Sequence, residues 1–420
     1  MQATGGGMGR AILWGGTALL MLVLPLYFST GFALTLLSQM GIMIIFALSY
    51  NMLLGQGGML SFGHAVYSGL GAYFAVHAMV LMGKGTLPVA VSLLPLIGGV
   101  AGMVFGVIFG YVSTKRAGTT FAMISLGLGE LVFACSLMFP GFFGGEGGIS
   151  GNRAIGQPVL GVDYKSSLQV YYLIAVWCFL CMVAMFAFTQ TPLGRISNAV
   201  RDNPERAEFI GYDTQKVRWL VLIVAGFFAG ISGGLSAIMF EIVTAENVSA
   251  IRSGGVLLAT YIGGALFFFG PILGACLFIF FVVALSEFTK AWLLYLGFFF
   301  VLMVMYVPGG LASLILMQFP LARSGRAHEM LGPYARAGAA GLVLLAGTIL
   351  LIEMTYHASL ESASGNVVRL WGLDLNVTSI APWAVATLLF AGGFAGMVRY
   401  GAQVRSRYGD IMADLLARSA

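Results

Sequence analysis

Side chains able to do chemistry are scarce in this chain and unevenly spread. Seven charged residues, Arg195, Arg201, Asp202, Glu205, Arg206, Glu208 and Asp213, crowd into TPLGRISNAVRDNPERAEFIGYD, residues 191–213. Two other groups attract notice because they stand in apolar surroundings. Glu130 lies near the middle of an apolar run, where an ionised carboxylate is costly and usually faces a bundle interior or a watery cavity. It can bias a solute pathway, anchor a gate, or simply hold a structural hydrogen bond. His64 stands with Asn51, Gln56 and Ser61 among the glycines Gly55, Gly57, Gly58 and Gly63. That cluster is either a cytoplasmic turn whose polar residues enter the bundle, the reading favoured here, or a helix broken at membrane depth, which is tolerated only beside protein or water. Span depths alone would allow Glu130 to meet His64.

The other reactive types exclude several chemistries. Cys178 and Cys181 spell C-x-x-C, but no second pair or nearby His accompanies them, and Cys135 and Cys276 also lie in apolar runs. All four read as buried small hydrophobes, not as a zinc, redox or disulfide framework. His77 falls in an apolar span, and His328 and His357 at loop ends, without ligand company, so neither a metal site nor a nucleophilic triad is expected. No G-x-x-x-x-G-K-[ST] occurs, so any ATP used with this protein is hydrolysed by another chain and no cofactor is expected to bind here.

The elements that must position these residues are membrane helices. Of 420 residues, 59% are hydrophobic and 9% charged, against roughly 25% charged in a soluble domain. Runs long enough to cross a bilayer core of about 30 Å occur at 11–28, 34–54, 62–82, 87–111, 119–139, 169–189, 217–240, 253–270, 272–288, 291–317, 336–354 and 380–398. The first follows Arg10 in the manner of a signal peptide, but it lacks an A-x-A site and is retained as a span. With a cytoplasmic N-terminus these twelve spans leave 15 of the 21 Lys and Arg inside, which fits the positive-inside rule and places both termini in the cytoplasm. The net charge of +5 therefore describes topology and does not point to nucleic acid. Gly98, Gly102, Gly106 and Gly110, and Gly226, Gly230 and Gly234, recur every four residues and give two helices a smooth stripe for close crossing.

Residues 191–213 then fall on the cytoplasmic side and spell two short helices. Thr191 caps a first helix with Pro192 at its first position; Asn203 and Pro204 repeat the pattern for a second that ends by Gly211, and Asp213 caps the next span. A second helix of about two turns needs packing to persist. Ala207, Phe209 and Ile210 offer a small apolar face, and Arg201, Asp202, Glu205, Arg206 and Glu208 form a rim of both charges. A solvated linker needs neither the doubled caps nor the rim.

Gly194-Arg195, the run AVRDNPERAE (199–208) and Gly211 resemble the coupling loop of ABC importer permeases, and more specifically the branched-chain amino-acid permeases of LivM type. NMLLGQGGMLSFGHA (51–65), GGEGGISG (144–151) and GGALFFFGPILGA (263–275) follow in the same order, so the likeness covers roughly residues 20–315. It implies a permease subunit of an ATP-driven importer in the bacterial inner membrane. It also implies residues 191–213 as a docking surface for the ATPase motor, two ATPase subunits and a second, LivH-like permease in the assembly, and a periplasmic binding protein meeting the glycine loop at Gly144, Gly145, Glu146, Gly147 and Gly148. Branched-chain amino acids are the default cargo, with urea, amides and small aromatic acids carried by similar permeases. The rival is a gradient-driven carrier or channel in which Glu130 is an ion site.

The expected fold is an all-α polytopic membrane protein: a permease core of about ten helices over 1–320 and an extension of two spans over 321–420. After Arg399, Val404, Tyr408, Ile411, Met412 and Leu415 share one helical side, with Arg405, Arg407, Asp410 and Asp414 elsewhere. That tail is expected to lie on membrane lipid or on a partner.

Overall fold

The computed structural model describes residues 7–155, 163–360, 367–370 and 372–419. It is an all-helical membrane protein with, among the described residues, two small antiparallel strand pairs. Among the described residues, nine helices are long and apolar enough to cross a membrane, or ten if Trp292–Tyr306 and Gly310–Arg323 cross as one bent span. Two of the twelve expected spans fall short. The apolar part of α1 (Gly7–Tyr27) is the shorter stretch Ala11–Tyr27, and the expected 253–270 span is a 14-residue helix.

The chain forms two compact units, one of residues 1–288 with 296–313, the other of 289–295 with 314–420. In the first, α2 (Gly31–Asn51) leads through a π-helical turn, Met52–Gln56, and a non-helical stretch to α3 (Ala65–Gly83), α4 (Leu94–Ser113) and α5 (Gly118–Met138). A short α6 (Pro140–Phe143) and strand β1 (Ile149–Ser150) precede α7 (Ser167–Gln190), α8 (Pro192–Asp202), α9 (Pro204–Phe209) and α10 (Thr214–Phe240). Strand β2 (Ile242–Val243), α11 (Ala250–Gly263), α12 (Gly270–Ile279) and α13 (Ser286–Phe288) follow, and then come α14 (Trp292–Tyr306) and α15 (Gly310–Arg323), each divided between the two units.

The centre of this unit is the α3–α4–α10 packing, and the two glycine stripes are what allow it. Gly98 lies against the Gly230 carbonyl and Gly102 against that of Gly226, so closely that a Cβ at Gly98, Gly102 or Gly230 would overlap the facing backbone. Lipid tails are as apolar as the helices, so such dispersion contact between bare backbones is the main attraction available. α10 is the most enclosed of the candidate spans, with 83% of its apolar window buried.

α11 is short because its crossing is shared. Between α10 and α11 the chain folds back into the bundle, where Asn247 and Val248 press on Gly69 in α3. Ser249 then caps α11 by accepting from the Arg252 N–H at 3.3 Å. Fourteen helical residues rise only about 21 Å, so the 3-10 turn Ala245–Val248 and the helix together make one passage.

In the second unit α16 (His328–Leu360) and α17 (Ile380–Ser419) form a long hairpin joined through strands β3 (Val367–Leu370) and β4 (Leu373–Asn376). Gly347 and Gly393 let the two helices touch backbone to backbone. Glu353 accepts from Thr289 Oγ1 at 2.7 Å and Tyr295 Oη at 2.8 Å. The amphipathic tail continues α17 as one 40-residue helix. Its apolar side chains Val404, Tyr408, Ile411 and Leu415 pack on Leu321, Met330 and Tyr334. An ion-pair chain runs beside them, from Asp414 through Arg326 to Glu329 and Arg407.

Candidate coupling surface and translocation segment

The doubled caps of residues 191–213 all form. Thr191 Oγ1 accepts from Gly194 N at 3.2 Å, Asn203 Oδ1 from Arg206 N at 2.9 Å, and Asp213 Oδ1 from Lys216 N at 3.0 Å. The last bond, with the Lys216 ammonium at 3.3 Å, holds the exposed Asp213 carboxyl below its ordinary range. Gly211 sits at φ +93°, where glycine is favoured, and closes α9 by donating to the Glu208 carbonyl at 2.9 Å. The Glu208 carboxylate accepts from Thr214 Oγ1 at 2.8 Å, tying α9 to α10.

The pair has its own small core of Val200, Ala207 and Val217, with Leu193 and Ile196 against it. This corrects the expected apolar face. Ala207 is buried inside the loop, whereas Phe209 and Ile210 stand out at 90% and 65% exposure beside Tyr212. Arg195, Asp202, Glu205, Arg206, Glu208 and Gly211 surround them and are exposed, while Gly194 is buried against the end of α7.

Arg201 departs from the rim. Its Nη1 donates to the Gly55 carbonyl in the π-helical turn after α2, and its Nε and Nη2 hold Asp202 Oδ1 at 2.9 and 2.8 Å. Its aliphatic stem covers Gly58, which lies at φ +63°. Gly55 is in turn pressed between the Asn51 side chain and the carbonyl of Ala265. Three motifs far apart in the sequence, 51–65, 199–208 and 263–275, therefore meet at one turn.

Beyond that turn the chain runs unwound through Ser61 to His64 at mid-bundle depth. Phe62 N donates to Ser125 Oγ, part-way along the 21-residue α5, and Ala65 N donates to Ser253 Oγ in the first turn of α11, both at 3.0 Å. The segment is thus a break between helices that is enclosed by protein, with its polar residues inside the bundle. The backbone groups it frees are met by serine hydroxyls, as an unwound stretch at such depth requires.

His64 is fully enclosed. Its Nε2 lies 3.0 Å from Ser49 Oγ, and Phe46, Tyr50 and Tyr67 surround the ring at centroid distances of 5.6, 5.4 and 5.7 Å. Tyr50 donates to the Ser61 carbonyl at 3.0 Å. His64 Nδ1, Asn51 Oδ1 and Gln56 Oε1 are buried without hydrogen-bond partners in the structure. Four expected pathway residues, Asn51, Gln56, Ser61 and His64, are thus buried. Glu130 is not. α5 turns Phe121, Ala122, Ser125, Gly129 and Val132 inward and leaves Met123, Gly127, Glu130 and Ala134 exposed, so the expected contact with His64 is absent among the described residues.

The glycine loop at the other end of α10 is folded, not an open connector. Gly144, Gly145 and Gly148 all have positive φ, and Gly148 packs against the Val243 carbonyl. β1 pairs with β2 through Ile149 with Val243 and Ser150 with Ile242. His77 Nε2 donates to the Phe142 carbonyl at 2.8 Å and its ring stacks on Phe142. Sequence reading missed the clamp beside this loop. Arg153 donates to the Ile238, Met239 and Tyr164 carbonyls at 3.0, 2.9 and 3.0 Å, and its N–H donates to Glu241 at 2.8 Å. Only the positive φ of 56° at Glu241, invisible in sequence, marks the turn that brings them together. Glu146 and Gly147 remain exposed at the loop's tip.

A multi-pass helical bundle with a stapled helix pair at one end and a broken helix within it is the build of a membrane permease. The chain belongs to the branched-chain amino acid transport system permease component family, whose model matches residues 32–307. It is similar to the high-affinity branched-chain amino acid transport permease protein LivM of Salmonella typhimurium, at 28% identity over 68% of this chain and 71% of the relative. The Escherichia coli LivM shares 27% over 69% and 72%. The guanosine ABC transporter permease protein NupQ of Bacillus subtilis shares 31% over 31% of this chain and 39% of its own. No solved structure matches. The chain is thus the LivM-type permease subunit of an ABC importer, a transport subunit and not an enzyme, working in a complex with other subunits.

Proposed function

We propose that this permease moves branched-chain amino acids across the bacterial inner membrane by alternating access, with ATP hydrolysed in two separate ATPase subunits, one of them docked on α8 and α9. The supporting observation is the exposure of Phe209 and Ile210 on a helix pair that caps and a private core hold in shape. An aromatic anchor ringed by charge is the usual anatomy of a docking hot spot. In this reading both termini are cytoplasmic, and a periplasmic binding protein meets the Glu146 tip of the glycine loop. The LivM relatives carry the branched-chain name, which supports that cargo, while NupQ shows that a related permease serves a nucleoside.

The second, LivH-like permease packs on α5. Its exposed stripe of Met123, Gly127, Glu130 and Ala134 joins small residues, which suit close helix contact, to a mid-span carboxylate that lipid disfavours. The solute pathway then runs between the two permeases beside Glu130, with the 57–64 segment behind it. The test is mass spectrometry of what co-purifies with the tagged chain from gently solubilised native membranes. Two ATPases and a second permease are expected, with the ATPases lost when Phe209 and Ile210 are replaced by Asp. Recovery of the chain alone would return the weight to a gradient-driven carrier.

A further inference from the structure

A charged side chain of α8, Arg201, reaches the π-helical turn and the start of the broken segment that carries Ser61 and His64. Arg201 sits in the last turn of α8 and reaches the Gly55 carbonyl, a backbone acceptor 146 residues away. The same side chain is held on the coupling side by Asp202. On the other side its stem closes over Gly58, where a Cβ would lie 2.7 Å from Arg201 Cγ.

The acceptor lies in a π-helical turn, a conformation that carries one residue too many for its helix and is frequent at functional sites. It is also crowded on every side, by Asn51, by Ala265 and by Arg201, so a displacement of α8 cannot be absorbed locally. Three residues after Gly58 comes Ser61, whose carbonyl is held by Tyr50, and then the enclosed His64.

We propose that Arg201 is the positioning residue that transmits movement of the coupling helices to the 52–64 segment, and that it faces this segment instead of the ATPase. The inference rests on the ATPase docking proposed above. It predicts that the link governs how much solute moves per ATP and not whether the complex assembles. A charge-assisted bond that is lost should cost about tenfold in that ratio.

The experiment uses the complete complex in proteoliposomes, with leucine as solute and N-ethylmaleimide as probe of Ser61→Cys, read against the chain without that substitution. Labelling is expected to differ between the nucleotide-free and vanadate-trapped states. With Arg201→Ala the ATPases still co-purify, leucine moved per ATP falls about tenfold, and the labelling no longer responds to nucleotide. Arg201→Lys, which keeps a cationic donor, restores part of both. A role confined to stability would leave the nucleotide response of the folded fraction intact and overturns the proposal. So does an unchanged leucine-to-ATP ratio in Arg201→Ala. Failure of any ATPase to co-purify with the unaltered chain overturns the docking reading along with it, and separates the two.

Discussion

Arg153 and Asp213 hold opposite ends of one helix. Arg153 Nη1 donates to the Ile238 and Met239 carbonyls in the last turn of α10, and Asp213 Oδ1 accepts from the Lys216 N–H in its first. The first belongs to the chain beside the glycine loop, the second to the 191–213 loop, so the most enclosed span of the bundle is fastened directly to both. A helix held in this way moves as a rod. The orphan carbonyls at its end would otherwise lack partners, and a cation there is also favoured by the helix dipole.

Replacing Arg153 by Met keeps much of the stem and removes these bonds. The expected loss is about 2 kcal/mol of stability, seen as a lower melting temperature of the purified complex. An unchanged melt would mean that the clamp is ornamental.

The Asp213 cap carries a pH dependence whose sign follows from its lowered pKa. The folded state binds this proton less readily than the unfolded chain, so the cap contributes fully at neutral pH and its contribution is lost as pH falls through the carboxylate range. Asp213→Asn retains an acceptor oxygen but cannot titrate. Melting of the two forms compared from pH 7 down to about 4 should show a steeper fall for Asp213 than for Asn; parallel curves would contradict the assignment.

At the glycine crossing, Gly230→Leu places a side chain where the Gly98 carbonyl already lies. Overpacking of this kind costs about 3 kcal/mol. The complex should be recovered at much lower yield, whereas Gly127→Leu, which meets nothing within 4 Å in the isolated chain, should leave the subunit folded and disturb only its pairing with the second permease. Equal yields of both variants as folded monomer would sink the crossing argument.

Glu130→Gln keeps size and removes charge. Transport should drop severalfold with ATPases and second permease still attached, if the carboxylate borders the solute path. Full transport would remove Glu130 from that role.

Much of this was readable in the residues, for identifiable reasons. Caps depend on local bonds, so Thr191, Asn203 and Asp213 announced α8, α9 and α10 with their partners three residues away. Glycine spacing announced the α4 and α10 stripes because a four-residue repeat lines one helix face. What failed was non-local. Hydropathy treats every apolar run of sufficient length as a crossing, so it counted 253–270 as a full span although part of that passage is made by the 3-10 turn packed on Gly69. The depth of the 57–64 segment depends on Ser125 and Ser253, which no local pattern links to Phe62 and Ala65. The inward turn of Arg201 was equally hidden, since a basic residue beside Asp202 and Glu205 reads as surface until the Gly55 carbonyl is seen beneath it.

The most direct test is leucine uptake into proteoliposomes holding the co-purified complex, with ATP supplied on the side of the ATPases and binding protein on the other. Uptake that requires ATP and binding protein, and that vanishes when Phe209 and Ile210 are replaced by Asp, is the predicted result. Uptake that proceeds without ATP on an imposed proton gradient, indifferent to those replacements, would contradict the account.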